Sequence, residues 1–279
     1  MILLPFYVDD LIKTALTEDI NYIDSTTDLL IDENDRSFAF FIAKADGVIC
    51  GTEVAQRVFT ILDPYIEVKT MVSDGEEVKS GQKLMTICGH TRPMLKAERT
   101  ALNLIQHMSG IATYTRKCVE AVKGTHAVIS DTRKTLPGLR PLQKYAVTVG
   151  GGKNHRFNLT DAAMLKDNHI DAFGGITNAV EALRERAGHM LKIEVETRSL
   201  DDVKEALECG VDVIMLDNMS LEQMAEACEL INGSSVTEAS GNITLDNIHA
   251  VAETGVDVIS LGALTHSVKA FDISMKWGI

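Results

Sequence analysis

Several things this chain has little of narrow its role before any motif is considered. No apolar run approaches the roughly 20 residues that a membrane-spanning helix needs. The opening MILLPFYVDDLIKTAL meets Asp9 and Asp10 too early to read as a signal peptide. Cysteines number only five (Cys50, Cys88, Cys118, Cys209 and Cys228), odd in count and without metal-type spacing. That usage predicts a reducing cytoplasm with the thiols as core fillers, and no His/Cys cluster suggests zinc. Positive charge is scarce too: 27 Lys and Arg face 40 Asp and Glu, a net charge of −13. With no long basic face, a nucleic-acid or anionic-membrane partner is excluded.

Against that background one island stands out. Ser130 to His169 gathers seven cations (Arg133, Lys134, Arg140, Lys144, Lys153, Arg156 and Lys166) against Asp131, Asp161 and Asp167, a local net charge of +4. Clustered guanidinium and ammonium groups repel one another until a carboxylate or phosphate arrives, so the island predicts a pocket for small anions.

At 279 residues the chain can hold one large domain or two. Its second half contains a repeat. SLDDVKEALECGVDVIMLDNMS (199–220) aligns without gaps to TLDNIHAVAETGVDVISLGALT (244–265). Each copy predicts an N-cap Ser or Thr, an amphipathic helix, a Gly C-cap and a buried strand. SLEQMAEACELI (220–231) with SSVTEAS (234–240) supplies another such unit between them, and strands are expected near 127–131, 162–166 and 192–196. Strands alternating with helices imply a parallel sheet, closed as an α/β barrel or open and doubly wound. Polar residues after nearly every strand favour the barrel, whose chemistry sits at the carboxyl ends of its strands. The first hundred residues differ. VSDGEEVKSGQKLMTICG (72–89) places Gly75 and Gly81 in turns between short strands, resembling half of a biotinyl or lipoyl carrier, although Lys44 lacks the flanks of an attachment lysine. A helical stretch over 95–122 follows.

The chemistry-bearing segments then line up. SDTRKTLPGLRPL (130–142) puts Arg133 and Lys134 in a loop that Pro137 and Pro141 are expected to stiffen. GGGKNHR (150–156) leads into His155 and Arg156, and is either a close backbone approach or a floppy linker. LKDNH (165–169) ends a strand with Lys166, and leaves His169 as either a hydrogen-bonded structural residue or a catalyst. In IEVE (193–196), Glu194 and Glu196 share one face of a strand. With Asp217 on the next strand, Glu196 could hold Mg²⁺ through water, bind ribose hydroxyls, or pair with nearby lysines. EASGNI (238–243) and SLGALTHS (260–267) are Gly-containing turns after the last two strands, where such barrels bind phosphate.

Together SDTRKTLPGLR, GGGKNHR, LKDNH, IEVE, MLDN, EASGNI and SLGALTHS, with ERTALNLIQHMSGIAT (98–113), resemble the quinolinate phosphoribosyltransferase family, also called nicotinate-nucleotide pyrophosphorylase, over essentially the whole chain. The resemblance implies an α/β fold: an incomplete, seven-stranded α/β barrel over 105–266 and an N-terminal α/β-sandwich domain over 1–104, on which the tail 267–279 packs. It implies a pentosyltransferase that joins quinolinate to phosphoribosyl pyrophosphate and releases CO₂ and pyrophosphate. The product would be nicotinate mononucleotide for NAD biosynthesis, with Mg²⁺ as cofactor. It also implies a cytoplasmic homodimer with shared active sites, possibly assembling further. By the same resemblance Arg133, Arg156 and Lys166 meet the quinolinate carboxylates, with His155 beside them. Arg99 reaches the partner subunit's pocket, and Lys134 faces pyrophosphate. Glu196 and Asp217 hold the ribose hydroxyls and, through water or substrate, the metal. Ser240, Gly241, Asn242, Ser260, Gly262 and Ala263, with His266 nearby, take the 5′-phosphate. Lys134, Lys166, Glu196 and Asp217 form the implied catalytic set. Competing readings are a molybdenum-associated pyrophosphorylase-like paralogue, a nicotinate-specific transferase and a non-catalytic anion-binding barrel.

Overall fold

A computed structural model describes residues 2–278. Its contacts divide the chain into two compact units, one of residues 2–116, 135–151 and 264–278, the other of 117–134 and 152–263.

The chain opens with helices α1 (Pro5–Asp19) and α2 (Thr27–Leu30), then strands β1 (Arg36–Ala43) and β2 (Gly47–Val48). Helix α3 (Thr52–Leu62), strands β3 (Glu67–Thr70), β4 (Glu77–Val78) and β5 (Lys83–His90), and the long helix α4 (Thr91–Ala121) follow. Asp74 fastens the start of α3: its carboxylate accepts the Gly51 and Thr52 backbone N–H groups at 2.8 and 3.0 Å and the Tyr145 hydroxyl at 3.0 Å. Gly51 sits at φ 99°, and a Cβ there would lie 2.7 Å from Met108 Sδ, so only glycine fits. Alternation along β1 buries Ala39, Phe41 and Ala43 on one face, where Phe41 meets Phe59 of α3 edge-on at 6.0 Å between ring centroids.

In the second unit six short parallel strands form one sheet: β6 (Val128–Ser130), β7 (Ala163–Leu165), β8 (Ile193–Thr197), β9 (Val213–Asp217), β10 (Val236–Ser240) and β11 (Val258–Ser260), in spatial order β6-β11-β10-β9-β8-β7. Helix α5 (Arg140–Val149) lies between β6 and β7 in sequence and belongs to the first unit. Helices α6 (Asp167–Phe173), α7 (Ile176–Arg186), α8 (Leu200–Glu208), α9 (Leu221–Ile231) and α10 (Ile248–Glu253) connect the remaining strands. After β11 come α11 (Ala263–His266) and a last strand, β12 (Ile273–Trp277), antiparallel to β1, which makes the first unit's sheet β12-β1-β5-β3. A Cβ on Gly110 would run into the Lys269 carbonyl, so α4 and the chain leading to β12 need glycine where they meet.

The repeat folds as helix–strand units, but its two copies differ. Ser199 Oγ accepts the Asp202 N–H, and the Asp202 side chain answers back, so α8 starts in a capping box. In the second copy the Thr244 N–H is taken by Asn247 Oδ1, and the helix begins only at Ile248, with Asn247 and not Thr244 at its N-cap. Gly210 and Gly255 both end their helices in the left-handed region, at φ 62° and 94°. Ile214, Leu216, Ala239 and Ile259 of the strands are fully buried. Each such aliphatic side chain of Leu or Ile size contributes about 1.5–3 kcal/mol. Glu194, Glu196, Asp217 and Glu238 alternate with these core residues, so one face of each of these strands carries carboxylates.

Candidate active site

The sheet curls far enough that the carboxyl ends of all six strands border one cavity of about 290 Å³. Its walls include Arg133, Lys134, His155, Arg156, Lys166, Glu196, Asp217, Ser240 and Ser260. Nine residues singled out from the sequence therefore meet at one place. Gly241, Asn242, Gly262 and Ala263 do not line this cavity, while Arg99, exposed on α4, and His266, at the end of α11, belong to the first unit.

Local chemistry explains how each side chain arrives. Lys166 precedes α6, and His169 Nδ1 accepts its backbone N–H at 3.1 Å while the His169 N–H returns a bond to the Lys166 carbonyl at 2.8 Å. The structural alternative for His169 is thus the one realised: it caps α6. The Lys166 ammonium lies 3.2 Å from Glu196 Oε2. Arg198, unremarked in the sequence, reaches Glu196 at 3.7 Å and Asp167 at 2.6 Å. That hydrogen bond from Arg198 holds the Asp167 carboxyl below its usual range. No motif marks Arg198, because only the turn after β8 brings it back over Asp167.

The glycine run is not a linker. Gly150 ends α5, where a Cβ would lie 2.6 Å from the Ala112 carbonyl of α4, and Gly151 turns the chain at φ 100°. Pro141 does not stiffen a loop either. It lies in the first turn of α5, where its missing N–H has no partner to lose. Beyond the glycines, Lys153 forms a parallel bridge with Ser130 at the free edge of β6. Asp131, fully buried, accepts the His155 backbone N–H at 2.8 Å and the Asn154 amide at 2.7 Å. The Arg156 guanidinium donates to the Ala162 carbonyl at 2.9 Å, and burial together with nearby Arg133 lowers its pKa.

Beneath the cavity lies a cluster that sequence reasoning caught only in part. His155 Nε2 sits 3.2 Å from Glu194 and 3.5 Å from Glu238. Burial opposes charge on this imidazole, but hydrogen bonds to the two carboxylates outweigh it and push its pKa up to about 10. Burial also raises the Glu194 carboxyl, with Glu238's charge adding to it against the opposing His155 contact. With one proton beyond the neutral imidazole's own, the cluster carries a net charge of −1 wherever that proton sits. In the sequence Glu238 marks only the start of a glycine turn. Its pairing with Glu194 across β9 depends on strand order, which no local pattern displays.

At the ends of β9 and β10, Asn218, Gly241 and Asn242 all take left-handed backbone conformations, at φ 56°, 95° and 52°. Asn242 Nδ2 donates to Asn218 Oδ1 at 2.9 Å, and the Asn218 N–H to the Ser240 carbonyl at 2.9 Å, which ties the two turns together.

Residues 24–109 match the family model of the quinolinate phosphoribosyl transferase N-terminal domain, and residues 111–276 that of its C-terminal domain. A probable nicotinate-nucleotide pyrophosphorylase [carboxylating] from Synechocystis is 44% identical over 96% of this chain and 92% of its own length. The chloroplastic enzyme of that name from Arabidopsis thaliana is 44% identical, covering 95% of this chain and 81% of its own. The crystal structure of NadC from Streptococcus pyogenes superposes with a TM-score of 0.95 at 46% identity, over 99% of this chain and 98% of that one. These matches leave the carrier, paralogue and non-catalytic readings without support, and the chain belongs to the quinolinate phosphoribosyltransferase family.

Proposed function

We propose that this chain transfers the phosphoribosyl group of phosphoribosyl pyrophosphate to quinolinate with decarboxylation. The products are nicotinate mononucleotide, CO₂ and pyrophosphate, a step of de novo NAD biosynthesis. The observation that carries this reading is the meeting of three cations, Arg133, Arg156 and Lys166, with two carboxylates, Glu196 and Asp217, in one cavity. The cations suit a substrate with two carboxylates, and the acids suit a centre that becomes positive. Departure of pyrophosphate leaves an oxocarbenium-like ribose carbon, which the pyridine nitrogen attacks, so no protein nucleophile is needed. The work of these side chains is alignment and charge neutralisation.

In this reading Arg133 and Arg156 bind the quinolinate carboxylates with His155 alongside, and Lys134 meets the pyrophosphate. Glu196 and Asp217 take the ribose hydroxyls. Ser240, Gly241, Asn242, Ser260, Gly262 and Ala263, with His266, serve the 5′-phosphate. Lys166, already against Glu196, stabilises by its charge the electron pair left at ring carbon 2 as CO₂ departs, and a proton from solvent then forms the C2–H bond. The oxygen-only donors of Glu196 and Asp217 fit Mg²⁺, held through water or substrate. When bound, Mg²⁺ neutralises phosphate charge on the phosphoribosyl donor. Arg99 is assigned to a second copy's cavity in a homodimer. The bridge of Lys153 to β6 supports an incomplete barrel with the 153 segment in its seventh position. Five free cysteines support a reducing, cytoplasmic setting, and no helix among the described residues is long and apolar enough to cross a membrane.

Quinolinate, phosphoribosyl pyrophosphate and Mg²⁺ are incubated with the protein, and CO₂ and nicotinate mononucleotide are scored. Both products are expected in equal amounts; product from nicotinate in place of quinolinate, or none at all, overturns the proposal.

A further inference from the structure

We propose that Glu194 and Glu238 are positioning residues: they hold the His155 ring, and through it the Arg156 backbone, in the geometry that presents Arg156 to a substrate carboxylate. This rests on the reading of Arg156 as a quinolinate contact.

Residues 154–156 lie in no helix or strand, yet they carry two of the cavity's side chains. Something other than a backbone ladder has to fix them. Asp131 secures the entry, through Asn154 and the His155 N–H. The exit is secured by the ring itself, since the Arg156 N–H donates to His155 Nδ1 at 2.8 Å. The imidazole is therefore a strut, with the Arg156 peptide at one end and two carboxylates, from β8 and β10, at the other. The guanidinium's own contacts are slight by comparison: one carbonyl, and the Met164 sulfur at 3.5 Å.

The cluster is also one His and two Glu whose ligand atoms all lie within 4.8 Å of one another, the composition of a metal site. The hydrogen bond at Nδ1 argues against that use. A nitrogen that accepts an N–H has its lone pair engaged and carries no proton, so in this geometry the ring is neutral with its proton on Nε2, the cluster's extra proton lies on a carboxylate, and no ring lone pair is left for a cation. Nε2–H instead donates into the carboxylate pair.

The pair is expensive to maintain. Glu194 and Glu238 are each 4% exposed, and Oε1 of each has no hydrogen-bond partner. A buried polar atom left in that state is destabilising, and an apolar pair of similar volume would spare the sheet that cost. Support from packing is also limited. His155 and Glu238 border the site cavity and also a second one of about 330 Å³, walled by Val128, Val213, Val236 and Val258, the first residues of their strands. With open space towards both ends of the sheet, hydrogen bonds rather than neighbouring atoms must fix the ring.

Electrostatics and positioning predict opposite signs, which makes the idea testable. Removing an acid from beneath an anion pocket should tighten anion binding if charge alone matters; loss of the strut should weaken it. Glu238→Leu, Glu194→Leu, His155→Ala, Arg156→Ala and the Glu238→Leu/His155→Ala double variant are compared for kcat, for KM of quinolinate and of phosphoribosyl pyrophosphate, and for melting temperature. Glu238→Leu should raise the quinolinate KM about tenfold, the scale set by slight misplacement of a binding group, with the phosphoribosyl pyrophosphate KM within about twofold. Glu238→Gln, which keeps an acceptor for Nε2–H, should recover most of the loss. In the His155→Ala background Glu238→Leu should add less than about twofold, because a residue acting through another cannot act twice. Should Glu238→Leu fail to fold, the Glu194→Leu cycle decides by the same measures. A lowered or unchanged quinolinate KM, an equal rise in both KM values, or additivity with His155→Ala overturns the proposal. Arg156→Ala separates the two failures: an unchanged quinolinate KM there sinks the site reading itself, whereas a large rise there with none in Glu238→Leu sinks only the strut.

Discussion

Glu194 and Glu196 lie two residues apart on one strand and point to the same face, yet they live in different surroundings. Glu196 sits at the cavity wall between Lys166 and Arg198. Glu194, one layer deeper, faces the His155 ring, and burial raises its carboxyl. The same step separates Glu238 from Ser240 on β10, while Met215 of β9 pairs in register with both Glu196 and Glu238 and so lies between the two levels. The sheet interior is thus two floors. The upper floor is cation-paired and lines the site cavity; the lower is buried and supports it. A shift of one pleat, about 6.6 Å along a strand, converts a carboxylate that can act on a ligand into one that can only act on its neighbours.

The comparison can be broken most decisively at the upper floor. Asp217→Ala should lower kcat/KM about 10²–10³-fold, the usual loss when one preorganised charge at a reacting centre is removed, as measured by CO₂ release. A loss under about tenfold would mean that the upper floor is not where charge develops. The lower floor should show itself in stability as a function of pH. The extra proton leaves the free imidazole near pH 6.5 but leaves the folded cluster around His155 only near pH 10, so the stability it contributes is complete below pH 6.5 and is gone above about pH 10. The raised Glu194 carboxyl acts in the same direction. The wild-type melting temperature should therefore fall between pH 6.5 and 10, and Glu238→Gln should flatten that fall by about 4 °C or more. Equal slopes would remove the cluster from the account. The smallest effect is expected at the apolar residue between the floors: Met215→Leu conserves volume and should cost under about 1.5 kcal/mol in denaturant unfolding. A larger loss would mean that the floor depends on Met215 as much as on its carboxylates.

How much of this was legible in the chain varies with the range of the interactions. The helix–strand repeat, the six strands and the strand-end placement of Arg133, Lys166, Glu196 and Asp217 follow from local periodicity and from Gly210 and Gly255. Where a local rule met a competitor it failed: Asn247 outbid Thr244 for the helix start, and Pro141 began α5 instead of bracing a loop. The His155–Glu194–Glu238 cluster was hidden because its members come from three separate segments, joined only once β10 is placed two strands from β8. Arg198 was hidden for a similar reason. The pairing of β1 with β12 is the extreme case, since no pattern near Ala39 points to Trp277.

That last pairing has a consequence for how the protein is made. The second unit's chain is interrupted by 135–151 and is followed by β12, so the first unit is synthesised in three instalments. While the ribosome is still producing the second unit, β1 already has β5 on one side but nothing from its own chain on the other. An unpaired edge flanked by Phe38 and Phe40 is a template for the same edge on a neighbouring nascent chain. The five residues Ile273–Trp277 therefore close that edge only after the second unit has been made, and a chain truncated before them would leave β1 open and prone to aggregate.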